Sequence, residues 1–463
     1  MLRYDTVDHV AGGFDDEFWG VDVLRAAKAY PAVWHASLAL AAMHSRLVMM
    51  ATAARSPASP SKAANDRYLE QRYYVFALGQ YNSAIREVTK IMARNRYEDG
   101  GKAAVAAAAA ADQETLLLVS VLFTGICTMQ RDLQPALTHI KSALGMFYSW
   151  RFWERTANDH RQGVLPPRSI TAVMTMFETH YSNLAASAHP QQSIRWADTA
   201  PRCSTVPFRT VKDAYFEYLP IQGWAQSKIL LRGPPKRMAS PAVVEDVQRE
   251  FDVWAGKFAA FKRTLDPDEP VPHNSVVLLE LLELSLRTFL GLASDDVKTI
   301  PKWRSSGPQF ERLICWSERL TKEFSDLNDA SKKALNIGYR FCPTLNEVLR
   351  FVAFFAFDFD VRRRAIALMR RCKRMDGLWY NDLSAQIAVA KLEVERSEAL
   401  DWREACDCVR CVYVCEKHRP RTEEEELPRE VTMMNMKELE RDSGVQTVVD
   451  VLPWVPKSEE SDG

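Results

Sequence analysis

The chain has 463 residues, enough to bury a large core, and its 60 lysines and arginines balance 60 aspartates and glutamates. A formal net charge of zero excludes global electrostatic attraction to nucleic acid or an anionic membrane, so any such contact needs a local patch. Glycine is sparse at 18 residues, and long windows rich in Ala, Leu, Glu and Arg point to a mainly helical protein. Met1 to Phe14 has acidic residues and no apolar stretch of signal-peptide length, and no N-x-Ser/Thr sequon occurs. Nine cysteines without a secretory signal predict reduced thiols in the cytosol or nucleus.

In chain order, residues 1–14 read as an N-terminal segment and 15–400 as one helical domain, with linkers near 54–66, 95–111, 232–241 and 265–274. A C-terminal segment spans 401–456, and 457–463 is a disordered tail. Asp15 to Lys28 is a first helix. Tyr30-Pro31 marks a new start, because proline suits a first helical turn and disfavours helix at the residue before it. Helix follows from Pro31 to about Met50 and again from Tyr68. The alanines from Ala103 to Ala111 either extend a helix or form a biased loop.

The centre of the chain is Gln113 to Trp150. From Glu114 to Met129 apolar residues cover every helical face, which predicts a buried core helix too short to span a bilayer. After the charged break Gln130-Arg131-Asp132, Leu137, Ile140, Leu144 and Phe147 recur on one side of a second helix. Asp132 is placed to cap it, and Pro135 falls where no ladder bond is lost. An antiparallel helix pair is expected.

Further helices are expected at Ile170 to Ala188, Thr210 to Leu219, Val243 to Arg263, Ser275 to Leu292, Pro308 to Phe324 and Thr344 to Phe357. Val361 to Met375, capped by Asp360, and Asn381 to about Glu398 complete them. Beyond Trp402, alternation about Val409, Cys411, Tyr413 and Cys415 has the period of a strand, which Val431 to Met436 can pair with. The fold class is therefore all-α: an irregular multi-helix bundle of helical hairpins with a small C-terminal β-hairpin.

Four stretches carry a family resemblance. They are Pro31-Ala-Val-Trp-His35-Ala-Ser-Leu-Ala-Leu-Ala-Ala-Met-His44, Tyr81-Asn-Ser-Ala84-Ile-Arg86, Leu116 to Phe147 with Asp132 and His139, and Val361-Arg-Arg363-Arg364-Ala-Ile-Ala-Leu-Met369 followed by Gly377-Leu-Trp379. In order and spacing the chain resembles the regulatory (middle homology) region of fungal zinc-cluster transcription factors, across roughly residues 15 to 450. The resemblance implies a helical regulatory domain, a nuclear location (the cytoplasm being the alternative), and protein partners: the transcription machinery or a complete zinc-cluster factor, in a homo- or heterodimer. It implies no cofactor. The family's zinc-binding cysteines normally precede this region; here the first cysteine is Cys127, so direct DNA binding is not expected of this chain. At the central turn the family's usual Glu and Gly are replaced near Thr128-Met-Gln-Arg-Asp132. Its basic segment before the Arg-rich helix reads Phe354-Phe-Ala-Phe-Asp-Phe-Asp360.

Several residues invite other chemistry. His35 and His44 lie nine apart, about 900° of helix, so they face opposite ways and cannot share an ion. Cys406, Cys408, Cys411, Cys415 and His418 form the one compact group of soft ligands, either a zinc site or free thiols along a strand. Arg362, Arg363, Arg364, Arg370, Arg371, Lys373 and Arg374 read as an import signal or phosphate patch, or as the solvated face of an amphipathic helix, the reading favoured here. Glu423 to Glu426 is a solvated acidic turn, and Phe351, Phe354, Phe355, Phe357 and Phe359 are core aromatics. No phosphate loop, G-x-S-x-G, H-E-x-x-H or dinucleotide fingerprint occurs, so no catalytic, cofactor or metal residue is assigned. A second class of function remains: Gly79-Gln-Tyr81 with Ala84-Ile85 resembles the tetratricopeptide units of cytosolic scaffolds. The 52 residues from Ala84 to Ala136 do not match that repeat's period of about 34.

Overall fold

The computed structural model describes residues 6–11, 14–53, 60–94, 102–154, 164–185, 203–226, 241–265, 273–293, 305–326, 337–342 and 344–381. It also describes 384–389, 392 and three strands beyond residue 412. The architecture is all-α. In chain order the α-helices are α1 (Val7–Ala11), α2 (Val23–Ala29), α3 (Pro31–Ala53), α4 (Pro60–Arg94), α5 (Lys102–Met129), α6 (Leu133–Ser149) and α7 (Pro167–Ala185). Then come α8 (Val211–Ala225), α9 (Pro241–Lys262), α10 (His273–Ala293), α11 (Gly307–Asp326), α12 (Leu345–Phe355) and α13 (Phe359–Arg371). A π-turn, Phe18–Asp22, runs directly into α2.

The elements serve two cores. The first gathers α1 to α7, and the second gathers α8 to α13 with residues 385, 388 and 392. Residues 1–14, set apart in the sequence reading, contribute buried Val7, Val10 and Ala11 to the first core and Phe14 to the second. Phe14 stacks on Tyr215 at 4.3 Å.

Tyr30 is extended (φ −121°, ψ 111°) and α3 begins at Pro31, as the steric restriction before proline requires. Helix α4 begins at Pro60, inside the stretch read as a linker, and α5 takes in the alanine run from Lys102 onward. Alanine has the highest helix propensity, so the run extends the core helix instead of looping. Within α5, Ala109–Met129 is long and apolar enough by length and composition to cross a membrane, which corrects the expectation that the segment is too short. Here most of that segment is buried inside the fold. Gly125 allows the helix to sit tight on the chain after residue 340: a Cβ there would lie 2.7 Å from Phe341 Cζ.

The α5–α6 pair forms as expected, but backbone closes its turn. Asp132 N–H donates to the Cys127 carbonyl (3.0 Å) and Arg131 N–H to that of Thr128 (2.9 Å), a Schellman closure with Arg131 at φ 60° where glycine is usual. Asp132 is the N-cap residue of α6, yet its exposed side chain makes no capping bond, so the expected cap is corrected. A similar correction applies to α13. The helix begins one residue beyond Asp358, whose carboxylate accepts from the amides of Asp360 (2.7 Å) and Val361 (3.3 Å), while Asp360 lies in the first turn. Helix α8 runs six residues past Leu219, through Pro220, because Ile221, Trp224 and Ala225 are buried beyond it and offset the lost ladder bond.

A small mixed sheet was not anticipated. β1 (Ile337–Arg340) pairs parallel with β2 (Lys373–Asp376), in register Ile337 to Lys373. β2 turns at Gly377 (φ 56°) into antiparallel β3 (Trp379–Tyr380). The α13 helix therefore ends at Arg371, not Met375. Helices α3, α4, α5 and α6 have 23, 35, 28 and 17 residues and are not copies of one repeat. Near the C-terminus, β4 (Tyr413–Lys417) pairs antiparallel with β5 (Glu430–Met434), which pairs with β6 (Thr447–Asp450); the expected hairpin has a third strand.

Candidate functional site

The motif residues from the sequence fall into two neighbourhoods. In the first, Tyr81 of α4 places its hydroxyl 2.9 Å from His139 Nε2 on α6 and its ring 4.4 Å from Phe123 on α5. Burial lowers the His139 pKa and raises that of Tyr81, so both are neutral partners in one hydrogen bond. Ala84, one turn on, is fully buried and lets α4 approach. His35 bonds Gln80 Oε1 (2.7 Å), whereas His44 is buried in the core. Pro31 is exposed at the start of α3.

The second neighbourhood lies where the two cores meet. Thr344 caps α12 by accepting from the Asn346 amide (3.1 Å), and its hydroxyl donates to the Asp376 carboxylate at the end of β2. That contact orients α12 so that Glu347 and Arg350, three residues apart on one face, point into the seam. Gln226 at the end of α8 donates to Glu347 Oε1 (3.3 Å), and Gln222 bonds the same carboxylate. The Arg350 guanidinium carbon sits 3.5 Å from the centre of the Trp379 ring, a cation–π contact across the seam. On the far side His180 of α7 accepts from the Leu378 amide through Nδ1 (3.3 Å), which leaves Nε2 as the protonated nitrogen of the neutral ring. Glu347 and Arg350 are half-buried and form the seam's only charged groups open to solvent among these residues; His180, Asp376, Thr344 and Trp379 are buried.

Burial dominates the electrostatics. It pushes Glu347 up against the opposing pull of Arg350 and the two glutamines, and it draws Arg350 down against Glu347 and Asp376, although a guanidinium stays charged at any working pH. His180 is held down at about 3 by burial, with the Arg350 charge acting in the same direction. Three further buried polar atoms edge this region: Trp379 Nε1, Asn346 Oδ1 and Asn381 Oδ1 have no hydrogen-bond partner among the described residues. Such atoms are costly in a dry core, so their concentration marks the seam as the weak plane between two otherwise apolar cores. The arrangement binds and orients. No nucleophile pairs with His180 among the described contacts, and no group of three metal-ligating side chains forms among the described residues.

Comparison with known proteins adds nothing to this geometry. The chain matches no family model, no curated protein and no solved structure.

The remaining candidates separate cleanly. Arg362 of the basic run is buried and donates to the Ala353 carbonyl (2.8 Å), which corrects the expectation of a wholly solvated face. Arg364 forks onto Glu318 (2.9 and 2.7 Å) and reaches Glu311, tying α13 to α11, and Arg363 pairs with Asp360 (2.7 Å). Phe351 contacts Phe310 at 5.3 Å and Phe355 at 5.5 Å, within the second core. Of the cysteine cluster only the backbone of Cys415 is placed, opposite Thr432; the side chains of Cys406, Cys408, Cys411, Cys415 and His418 and the run Glu423 to Glu426 lie outside the described residues. Gln222, Gln226, Glu347 and Arg350 were not singled out from sequence. Their one signal, a Glu-Arg pair three apart on a helix, is also that of an ordinary surface ion pair.

Two buried titrating groups on α7 give opposite pH limbs. Glu178 accepts from the Tyr148 hydroxyl and is pushed up to about 8 by burial, from an ordinary value of 4.5. Unfolding below 4.5 changes no protonation there, but between 4.5 and 8 the unfolded carboxyl ionises first, so its contribution falls as pH rises. His180 behaves inversely: its contribution is full above 6.5 and is lost as pH falls toward about 3. Glu178→Gln is expected to gain on wild type progressively from pH 4.5 to 8 in urea denaturation, with no change in the difference below 4.5. A pH-independent difference would show that the carboxyl ionises normally.

Proposed function

We propose that this chain is a non-enzymatic regulator of transcription, built as the helical regulatory domain of a fungal zinc-cluster factor. It acts through protein or small-molecule contacts, and a complete zinc-cluster partner supplies the DNA contact. The observation that carries this reading is the ordered series of motif stretches ending in Gly377-Leu-Trp379. Its last residue lies at the polar seam, where Arg350 covers the Trp379 ring. A seam of half-buried charge between two apolar cores suits a regulator: an effector or partner that engages Glu347 and Arg350 biases how the cores pack, at the cost of a few polar contacts instead of a hydrophobic core.

The test is a tagged full chain expressed in a fungal cell, followed by imaging and co-precipitation from nuclear extract. Nuclear signal and recovery of a complete zinc-cluster factor are the expected results. A wholly cytoplasmic protein that brings down no transcription component overturns the proposal.

A further inference from the structure

Helix α4 has two faces, and the fold uses one of them. Ala77 and Ala84 are buried in the first core, Tyr81 is bonded to His139, and Glu70 pairs with Arg46 of α3 (2.9 Å). The opposite face is uncovered. At about 100° per residue, Arg72, Val75, Gly79 and Arg86 fall within about 40° of Tyr68, with Phe76 at their flank. Tyr68, Val75 and Phe76 are 62%, 59% and 46% exposed, and five of the ten exposed large apolar side chains among the described residues lie on α4. Single exposed apolar residues are ordinary, whereas a stripe of them marks a contact site. Gly79 opens a notch in its middle, since a Cβ there would meet nothing within 4 Å.

Charge selects the occupant. Arg72 lies over the Tyr68 ring (5.8 Å) and Arg86 donates to Ser83 Oγ (2.9 Å), and neither guanidinium meets a carboxylate among the described residues. The acids of α4, Asp66, Glu70 and Glu87, fall about 100° or more round the helix from Tyr68. Lys90, on the same face as the arginines, is matched by Glu87 (2.7 Å). The face therefore sets apolar groups between two unmatched cations, roughly 21 Å apart along the helix axis. A second copy of the chain does not fit. Gly79 is the midpoint of the two arginines, so an antiparallel copy crossing at the notch sets Arg72 against Arg86, and a parallel copy sets each against itself. Nucleic acid does not fit either, because two cations so far apart around an apolar centre neutralise few phosphates.

We propose that the outer face of α4 docks an acidic amphipathic helix of a partner protein, with an apolar side chain seated in the Gly79 notch and carboxylates on Arg72 and Arg86. The inference deepens the protein-contact reading above and rests on its claim that the chain acts through such contacts. Peptide binding in solution and nuclear location are separate measurements, so either can fail alone.

The test is fluorescence anisotropy with a labelled helical peptide of about 20 residues, carrying Leu at central i, i+3 and i+7 positions and Glu near both ends on the same face. The expected result is saturable binding to the full chain, weakened at least tenfold by Arg72→Glu with Arg86→Glu. Gly79→Trp fills the notch at an exposed helical position where most residues outrank glycine in helix propensity, and circular dichroism checks that the fold is kept. It is expected to weaken binding at least tenfold as well. A Gln-for-Glu peptide is expected to bind more weakly and with less salt dependence. Absence of saturable binding overturns the proposal, as does binding that ignores either Gly79→Trp or the charge reversal, or a Gln-for-Glu peptide that binds equally well. Self-association abolished by Gly79→Trp also overturns it, since the face then serves a second copy of the chain.

Discussion

Gly377→Ala is expected to destabilise the protein by about 2–5 kcal/mol. Two costs combine at this position. The residue is in the left-handed region at φ 56°, where an L side chain costs roughly 1–2 kcal/mol. A Cβ would also lie 2.4 Å from His180 Nδ1 and 2.6 Å from its Cε1, and forcing atoms into a filled interior costs roughly a further 1–3 kcal/mol. The imidazole has little room to yield, since His180 is 4% exposed and accepts from Leu378, the next residue of the turn. Urea denaturation of Gly377→Ala, His180→Ala and the double variant separates the terms. Truncating His180 relieves the clash but leaves the backbone strain, so the double variant is expected to be more stable than the sum of the single losses predicts. A Gly377→Ala protein within about 0.5 kcal/mol of wild type would mean that the hairpin does not approach α7 as described.

In the second core the largest expected loss comes from Trp254. This side chain is fully buried on α9, stacked with Phe251 and Phe258 at 5.9 and 5.0 Å and tilted against Tyr218 at 5.1 Å. Its indole N–H donates to the Ala214 carbonyl in the first turn of α8 (2.8 Å). Trp254→Ala is expected to cost about 3–5 kcal/mol through lost burial and the cavity left behind. Trp254→Phe keeps an aromatic in place and forfeits the hydrogen bond, for about 1–2 kcal/mol, because the Ala214 carbonyl can still accept within its own helix. Near-ultraviolet circular dichroism with denaturant melts distinguishes the variants. A loss below about 1 kcal/mol for the alanine variant would place Trp254 outside the core. Because Trp254 bridges α8 and α9, and α8 supplies Gln222 and Gln226 to the seam, the alanine variant also loosens the platform that holds Glu347.

Much of the helical framework is legible in local patterns. Apolar residues on every face of Glu114 to Met129 announce a buried helix, and Tyr30-Pro31 announces a boundary, because both signals are steric or solvation effects that act within a turn or two. Caps were less legible. Asp132 and Asp360 each have the right residue type at a helix start, but a Schellman closure serves one turn and Asp358 serves the other, choices made by backbone geometry. The sheet was invisible because β1 has four residues and includes Gly338, too short for any alternation to stand out. The basic run was legible as a run and not as a division of labour. Nothing in its sequence says that Arg362 turns inward while Arg363 and Arg370 border a groove.

The sequence by itself determined that this chain is a set of amphipathic and buried helices with balanced charge, since periodicity records which face of each segment leaves water. Only the tertiary structure decided that those helices divide into two cores, and that Leu378 meets His180 across 198 residues. The physical reason is that burial is written locally but is not directional. A hydrophobic face specifies that it must be covered and leaves open by what, so the contacts that assemble the seam appear once the whole chain has packed.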